Sequence, residues 1–248
     1  RLHLPECKAP VFAPRPGAEA RLKRRFHRHS GFRIAAAGRD AMNERLGRQL
    51  AFALELDKEK NVLRQTHLTG HGRRENDAEH AWHMALMAYL LREYANEPVD
   101  IARVMLMCLL HDVVEIDAGD TYAYDETAKE SQAAREAAAA ERIFGLLPED
   151  QAGEFRALFA EFDAGESADA RFARAMDNLQ PLLLNDSNDG GDWKEHAVTA
   201  SQVYGRQRRT SLGSAELFRV TDEILQRHIA AGHIRSEAEE GGSASGNA

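Results

Sequence analysis

The sequence predicts an all-α protein, and three observations carry that expectation. From Met42 onward the apolar residues recur at helical spacing. No stretch alternates apolar and polar residues long enough to read as a half-buried strand. Capping residues and breakers, such as Asp100 before Ile101 and Pro98 after Asn96, punctuate the chain at helix-length intervals.

The elements follow in order. Residues 42–66 read as one helix, with Leu46, Leu50, Phe52, Leu54 and Leu63 among its apolar positions, broken by Thr69-Gly70-His71-Gly72. Asp77 caps a helix over 78–95, which Asn96 and Pro98 terminate. Asp100 caps the next, whose apolar run through Leu110 marks it as central and buried on all sides. An Ala- and Glu-rich helix covers 127–146 and stops near Gly145. Further helices are expected over 149–162, 168–185, 193–210 and 214–231, with Phe172, Met176, Leu179 and Leu183 on the inner face of the second. There is no internal repeat. The organisation is one helical domain over 42–232, a basic, disordered leader over 1–41 broken by Pro5, Pro10, Pro14, Pro16 and Gly17, and a flexible tail over 233–248.

Composition narrows the function classes. The chain has 248 residues, 43% of them hydrophobic, and a net charge of −8. Residues 1–41 hold ten Lys/Arg against three Asp/Glu, so the rest carries −15. Such an acidic body is a poor footprint for gripping nucleic-acid backbones, and no nucleic-acid partner is expected. A substrate phosphate entering that field needs a local cation, a metal or an arginine. No apolar run is long enough to span a bilayer. Cys7 and Cys108 are far apart, Cys108 inside an apolar run as an inert buried thiol, and a reducing cytoplasm fits this usage.

The decisive feature is His111-Asp112 at the end of the apolar run, followed by Glu115. Burying an imidazole and a carboxylate there is costly unless something satisfies them, and a divalent cation does so. Taken alone, the pair also fits a helix-end ion pair or a hydrogen-bonded core histidine. It is not alone: His80 opens an earlier helix and Asp177 lies on a later one. Together the four offer a mixed nitrogen and oxygen set that leaves positions open for water and substrate. Glu115 returns to the face of His111 and Asp112, where a carboxylate serves as a general base or orients water.

The blocks Asn76-Asp77-Ala78-Glu79-His80-Ala81-Trp82-His83, His111-Asp112-x-x-Glu115 and Ile116-Asp117-Ala118-Gly119-Asp120-Thr121, followed by Asp177, resemble the HD-domain phosphohydrolases. The likeness is greatest to their 5′-deoxynucleotidase branch and covers about residues 42–232. It implies an HD-domain helical bundle, a homodimer, and one divalent metal (Mn, Co, Fe, Ni, Zn or Mg) on His80, His111, Asp112 and Asp177. It implies a catalytic Glu115, an active-site Asp120 and a phosphate-binding Arg64, with Arg73 and Arg74 as alternatives to Arg64. The substrate it implies is a phosphorylated small molecule, a (deoxy)nucleoside 5′-monophosphate. A nucleoside triphosphate, a phosphate ester of a specialised pathway, and a non-catalytic helical regulatory module are the rival readings. No histidine lies between Asp112 and Asp177, which favours one metal over two. His83 is assigned to the second shell or the core. Gly190-Gly191-Asp192-Trp193-Lys194-Glu195-His196 resembles a further block of close relatives. Trp193 there either stacks on a base, with Lys194 near phosphate, or anchors the next helix.

Overall fold

A computed structural model describes residues 41–124 and 126–236 of the chain. The expected leader, apart from Ala41, and residues 237–248 of the expected tail lie outside the described residues. In chain order, helix α1 (Ala41–Glu55) and a 3-10 turn (Leu56–Asn61) lead into strands β1 (Leu63–His67) and β2 (Arg74–Asn76). Helices α2 (Asp77–Leu91), α3 (Ile101–Leu110), α4 (Glu115–Ala118), α5 (Glu126–Phe144), α6 (Glu149–Ala164) and α7 (Ala168–Ser187) follow. The chain ends in α8 (Gly191–Glu195), α9 (Ala200–Gln207), α10 (Thr210–Gly213) and α11 (Ala215–Ala230). Apart from the one hairpin, the architecture is the expected all-α one. Among the described residues no helix is long and apolar enough to cross a membrane.

The centre is α2, α3 and α7, which pack on one another and bury Met84, Val104, Met107, Cys108, Phe172 and Met176 to 1% exposure or less. Side chains of that size each contribute ~1.5–3 kcal/mol by leaving water. Polar caps fix where these helices begin. Asn76 accepts the Glu79 amide while the Glu79 carboxylate reaches back to the Asn76 amide, a capping box that makes Asn76, not Asp77, the cap of α2. Asp100 caps α3 as expected, accepting from Ala102 and Arg103. Ser167 caps α7. Pro181 sits inside α7 and has no amide to offer the carbonyl of Asp177, four residues back.

The structure departs from the sequence reading in several places. The helix expected over 42–66 ends at Glu55, and Leu63–His67 pairs antiparallel with Arg74–Asn76 instead. Residues of β1 are exposed or half-buried throughout, so no alternation was there to read. On α1 itself Leu46, Leu50 and Leu54 are exposed, and Phe52 enters the core against Phe144 and Phe155. The α3 run is buried on most sides only, since Leu109 is 42% exposed, and on α7 Leu182 takes the inner position expected of Leu183. The helix expected over 193–210 is three pieces. Ala197 adopts a left-handed φ of 53°, and Thr199 with Gln202 forms a fresh capping box for α9. At the C-terminal end the chain stays docked past 233, with Ile234 buried and Arg235 bonded to Val198 and Ala200.

Two turns meet on the outside of this frame. The hairpin turn carries His71, at a positive φ of 52°, whose amide donates to Asn188 at 3.0 Å. His67 adds its own amide (3.1 Å) and Nδ1 (2.6 Å) to Asp192. Gly191 lies beneath, and a Cβ there would overlap the His71 ring. The hairpin is thus clamped to the Gly190-Gly191 turn.

Candidate metal centre

The carboxylates and imidazoles singled out by sequence converge where α2, α7 and the end of α3 meet. His111 and Asp112 occupy the turn after Leu110 rather than the helix itself, and Glu115 begins α4. The His111 Nε2 lies 3.0 Å from Asp112 Oδ2 and 3.9 Å from Asp177 Oδ1. The His80 Nε2 lies 3.3 Å from Asp177 Oδ1 and 3.9 Å from Asp112 Oδ2. His80 is fully buried, and His111, Asp112 and Glu115 are 7–8% exposed.

Hydrogen bonds on the far side of each ring orient the two imidazoles. The His111 Nδ1 faces the Cys108 carbonyl at 2.9 Å; a carbonyl only accepts, so Nδ1 carries a proton and Nε2 is the nitrogen left to face the cluster. The His80 Nδ1 faces Gln180 Oε1 at 2.8 Å, and the Gln180 amide nitrogen donates to Glu75 at 2.7 Å. That donation orients the amide so that its oxygen accepts from His80. Both imidazoles therefore turn Nε2 to the same space, the arrangement that metal-binding histidines share. Gln180 also meets His83 Nδ1 at 3.1 Å, so His83 stands one residue behind the cluster, where the sequence reading put it.

The charges around this space do not balance. Arg64 donates to Asp112 at 2.6 Å and to Asp77 at 3.2 Å, and Arg206 holds Asp177 at 3.3 Å. Against these two stand Glu59, Asp77, Asp112, Glu115, Asp120 and Asp177. Burial, with Asp112, Asp77 and Asp120 nearby, pushes the Glu115 carboxyl up to about 12. Burial and Asp112 raise Asp77 to about 7 and Glu59 to about 8. Burial lifts Asp120 as well. Burial alone would also raise Asp112 and Asp177, but His111 and Arg64 beside the first and Arg206 and His80 beside the second hold both well below the usual carboxylate range. Burial lowers His80 to about 4, whereas at His111 the carboxylates of Asp112 and Asp177 outweigh burial and raise it to about 9. Glu59 Oε1, Asp77 Oδ2, His111 Nε2 and Glu115 Oε2 are buried with no hydrogen-bond partner among the described residues. Orphaned buried acceptors around an excess of carboxylates fit a divalent cation.

A cavity of about 150 Å³ opens beside these groups, lined by Arg64, His111, Asp112, Glu115, Asp120 and Asp177 among others. A neighbouring one is walled by Tyr122, Tyr124, Asn185, Asp192 and Trp193 and shares Arg64, Asp120 and Arg206 with it. Arg73 and Arg74 do not reach either cavity: Arg73 is paired with Glu79, and Arg74 lies 3.8 Å from Glu195. Trp193 is 4% exposed and edge-on to His228. It anchors α8 while also lining the tyrosine-walled cavity. Lys194 is exposed and lines neither cavity, so the expected phosphate contact is not supported. His196 stacks on Tyr122 at 4.6 Å. The sequence reading missed Arg206, Glu75, Gln180 and Glu59. Only Gln180 carried a signal, standing three residues after Asp177 and so on the same helical face.

Comparison with known proteins follows the same lines. A family model described as HD domain matches residues 56–217. A crystal structure from Magnetospirillum magnetotacticum, described as a predicted metal-dependent phosphohydrolase, is 50% identical and superposes with a TM-score of 0.76. It covers 79% of this chain and 98% of its own. The human 5′-deoxynucleotidase HDDC2 is 32% identical over 111 residues, 45% of this chain and 53% of that protein. The zebrafish (Danio rerio) protein of the same name is 26% identical over 158 residues, 64% of this chain and 78% of its own. The chain thus spans about half the length of the human relative it matches. A conserved hypothetical protein from Pyrococcus furiosus shares the fold at 15% identity and a TM-score of 0.51, over 71% of this chain and 99% of its own.

Proposed function

From the premise that this chain belongs to the HD domain family, we propose that it hydrolyses a phosphate monoester and that the substrate is a deoxynucleoside 5′-monophosphate. One observation carries the reading: the Nε2 atoms of His80 and His111 and the ionised carboxylates of Asp112 and Asp177 face one space, beside a buried Glu115 with an orphaned oxygen. These four residues would hold one divalent ion, of Mn, Co, Fe, Ni, Zn or Mg type. When bound, such an ion neutralises phosphoryl oxygens and acidifies water.

The chain's own residues supply the rest. Glu115 Oε2 is the acceptor available to orient the attacking water and take its proton. Its carboxyl ionises once positive charge offsets Asp112 and Asp77. Arg64 and Arg206 are engaged with Asp112 and Asp177, and a phosphoryl group entering between them exchanges those partners for its own oxygens. Asp120 borders both cavities, so it can accept from a sugar hydroxyl in one or hold the proton of the leaving oxygen in the other. The tyrosine-walled cavity suits a nucleoside, and the deoxynucleotidase relatives support the choice of sugar.

The test is phosphate release from a panel of deoxynucleoside and nucleoside mono- and triphosphates, with protein stripped by chelator and reloaded with each metal. Release from deoxynucleoside 5′-monophosphates, lost on stripping and regained on loading, is expected. Absence of metal-dependent release from every ester would end the reading, and release from triphosphates alone would replace its substrate.

A further inference from the structure

A third cavity adjoins the metal-side one and has the opposite character. It measures about 400 Å³ and is lined by Arg174, Arg206 and Arg209, with Asp177 as the sole acidic lining residue among the described residues and Ser201, Gln202 and Gln132 supplying polar groups. Thr121, Gln132, Asp177 and Arg206 border both spaces, so an anion here lies next to whatever the centre holds. We infer that this cavity binds a second phosphate group, so that the preferred substrate is a nucleotide carrying a phosphate beyond the one released. The inference rests on the phosphohydrolase reading and revises its substrate: the 5′-monophosphate is still hydrolysed, and a nucleotide with a further phosphate is preferred to it.

Three guanidinium groups rarely converge without an anion, least of all in a chain of net charge −8. Arg209 is exposed and, among the described residues, has neither an ion pair nor a side-chain hydrogen bond. Arg174 donates through Nη1 to the Phe162 and Asp163 carbonyls at the end of α6 and, among the described residues, pairs with no carboxylate. Helix C-termini attract cations and account for each arginine singly, Arg174 at α6 and Arg206 and Arg209 at the end of α9. They do not account for the three meeting. Burial and the charges of Arg209 and Arg206 together push the Arg174 guanidinium down, a repulsion that a phosphate would relieve. Gly165, at a positive φ of 63°, keeps this approach open: a Cβ there would lie 3.0 Å from Arg174 Cδ. Arg174 and Arg209 also line the next space outward with Arg171, so the basic track continues away from the centre.

Two arrangements share this chemistry: phosphates in series, as in a 5′-diphosphate, and phosphates on separate hydroxyls, as in a 3′,5′-bisphosphate. The experiment compares deoxyadenosine 5′-monophosphate, 5′-diphosphate and 3′,5′-bisphosphate with the Mn-loaded protein and with Arg209→Ser, Arg174→Gln and Arg208→Ser. One doubly phosphorylated nucleotide should exceed the monophosphate in kcat/KM by about tenfold, the worth of one charge-assisted hydrogen bond. That ratio should collapse in Arg209→Ser and Arg174→Gln and survive in Arg208→Ser, which removes the same charge outside the cavity. Arg209→Ser tests an exposed position, so a folding failure in Arg174→Gln does not decide the matter. Calorimetric Kd ratios in a Glu115→Gln background read the same preference without turnover. If none of the three nucleotides is hydrolysed, the phosphohydrolase reading falls while the Kd ratio still judges the cavity. Equal handling of all three, or a preference untouched in both cavity variants, would overturn the inference.

Discussion

The four proposed metal ligands stand on the central helices or the turn that closes one of them, whereas the two arginines paired with them stand on peripheral pieces. His80 and the His111-Asp112 turn are buried, and the half-buried Asp177 lies between buried Met176 and Asn178. Arg64 comes from a two-stranded hairpin and Arg206 from an eight-residue helix. The difference separates two tasks. Ligands for a small ion must keep fixed mutual distances, which close packing enforces. Groups that receive a phosphate must exchange partners as substrate arrives, which side chains on shorter elements do with less disturbance to the core.

That division makes the largest effect predictable. Asp112→Ala should lose both metal, by elemental mass spectrometry, and all measurable phosphate release, because it removes one ligand and the partner of Arg64. Glu115→Ala should keep its metal and lose turnover by ~10²–10⁴-fold, the range of general-base contributions. Equal metal loss in the two variants would show that Glu115 belongs with the ligands.

A smaller effect sharpens the peripheral half. Arg64→Ala should retain metal and lose ~10²–10³ in kcat/KM, comparable to removing one preorganised donor to a charged transition state. Arg73→Ala, whose guanidinium pairs with Glu79 on the surface, should stay near wild type. If Arg64→Ala were to shed its metal as Asp112→Ala does, the separation between the two regions would be lost.

The smallest effect is on stability, and its sign follows from the protonation states. In metal-free protein Glu75 and Asp77 are raised to about 7, Glu59 to about 8 and His111 to about 9. Groups raised in the folded state hold protons that the unfolded chain has already released, so their contribution is full below the unfolded values and lost as pH rises through the folded ones. His80, lowered to about 4, acts oppositely but only below its ordinary value of 6.5. Between pH 6.5 and 8, therefore, metal-free protein should lose stability as pH rises, by ~1–3 kcal/mol, or several degrees of Tm. Metal-loaded protein should show little of this slope, since a bound cation favours the deprotonated ligands. A scanning-calorimetry series with and without metal would reveal a rising or flat metal-free trend if the buried acids are not the source.

Much of this was legible in the sequence, for a physical reason. His111-Asp112 ends an apolar run, where burying polar groups without compensation is costly, and His80 and Asp177 lie on long periodic helices. The hairpin was not legible because β1 buries neither face fully, leaving no period of two. Arg206 was hidden among Arg206, Arg208 and Arg209 in a segment read as one long helix. The left-handed Ala197 and the Thr199 cap reset the helical phase, and with it which arginine turns inward. Trp193 shows the reverse problem: its block was recognisable, but only the structure shows that the indole packs on His228 while lining a cavity.

The clamp between the hairpin turn and the Gly190-Gly191 turn ties the arginine's reach to a residue that has no side chain. Any substituent at Gly191 would displace the His71 ring, and β1, which carries Arg64, is held to the same segment through His67 and Asp192. A methyl group added at position 191 would thus act as a wedge under the lever that sets the guanidinium, shifting phosphate grip from outside both cavities while leaving every ligand atom chemically intact.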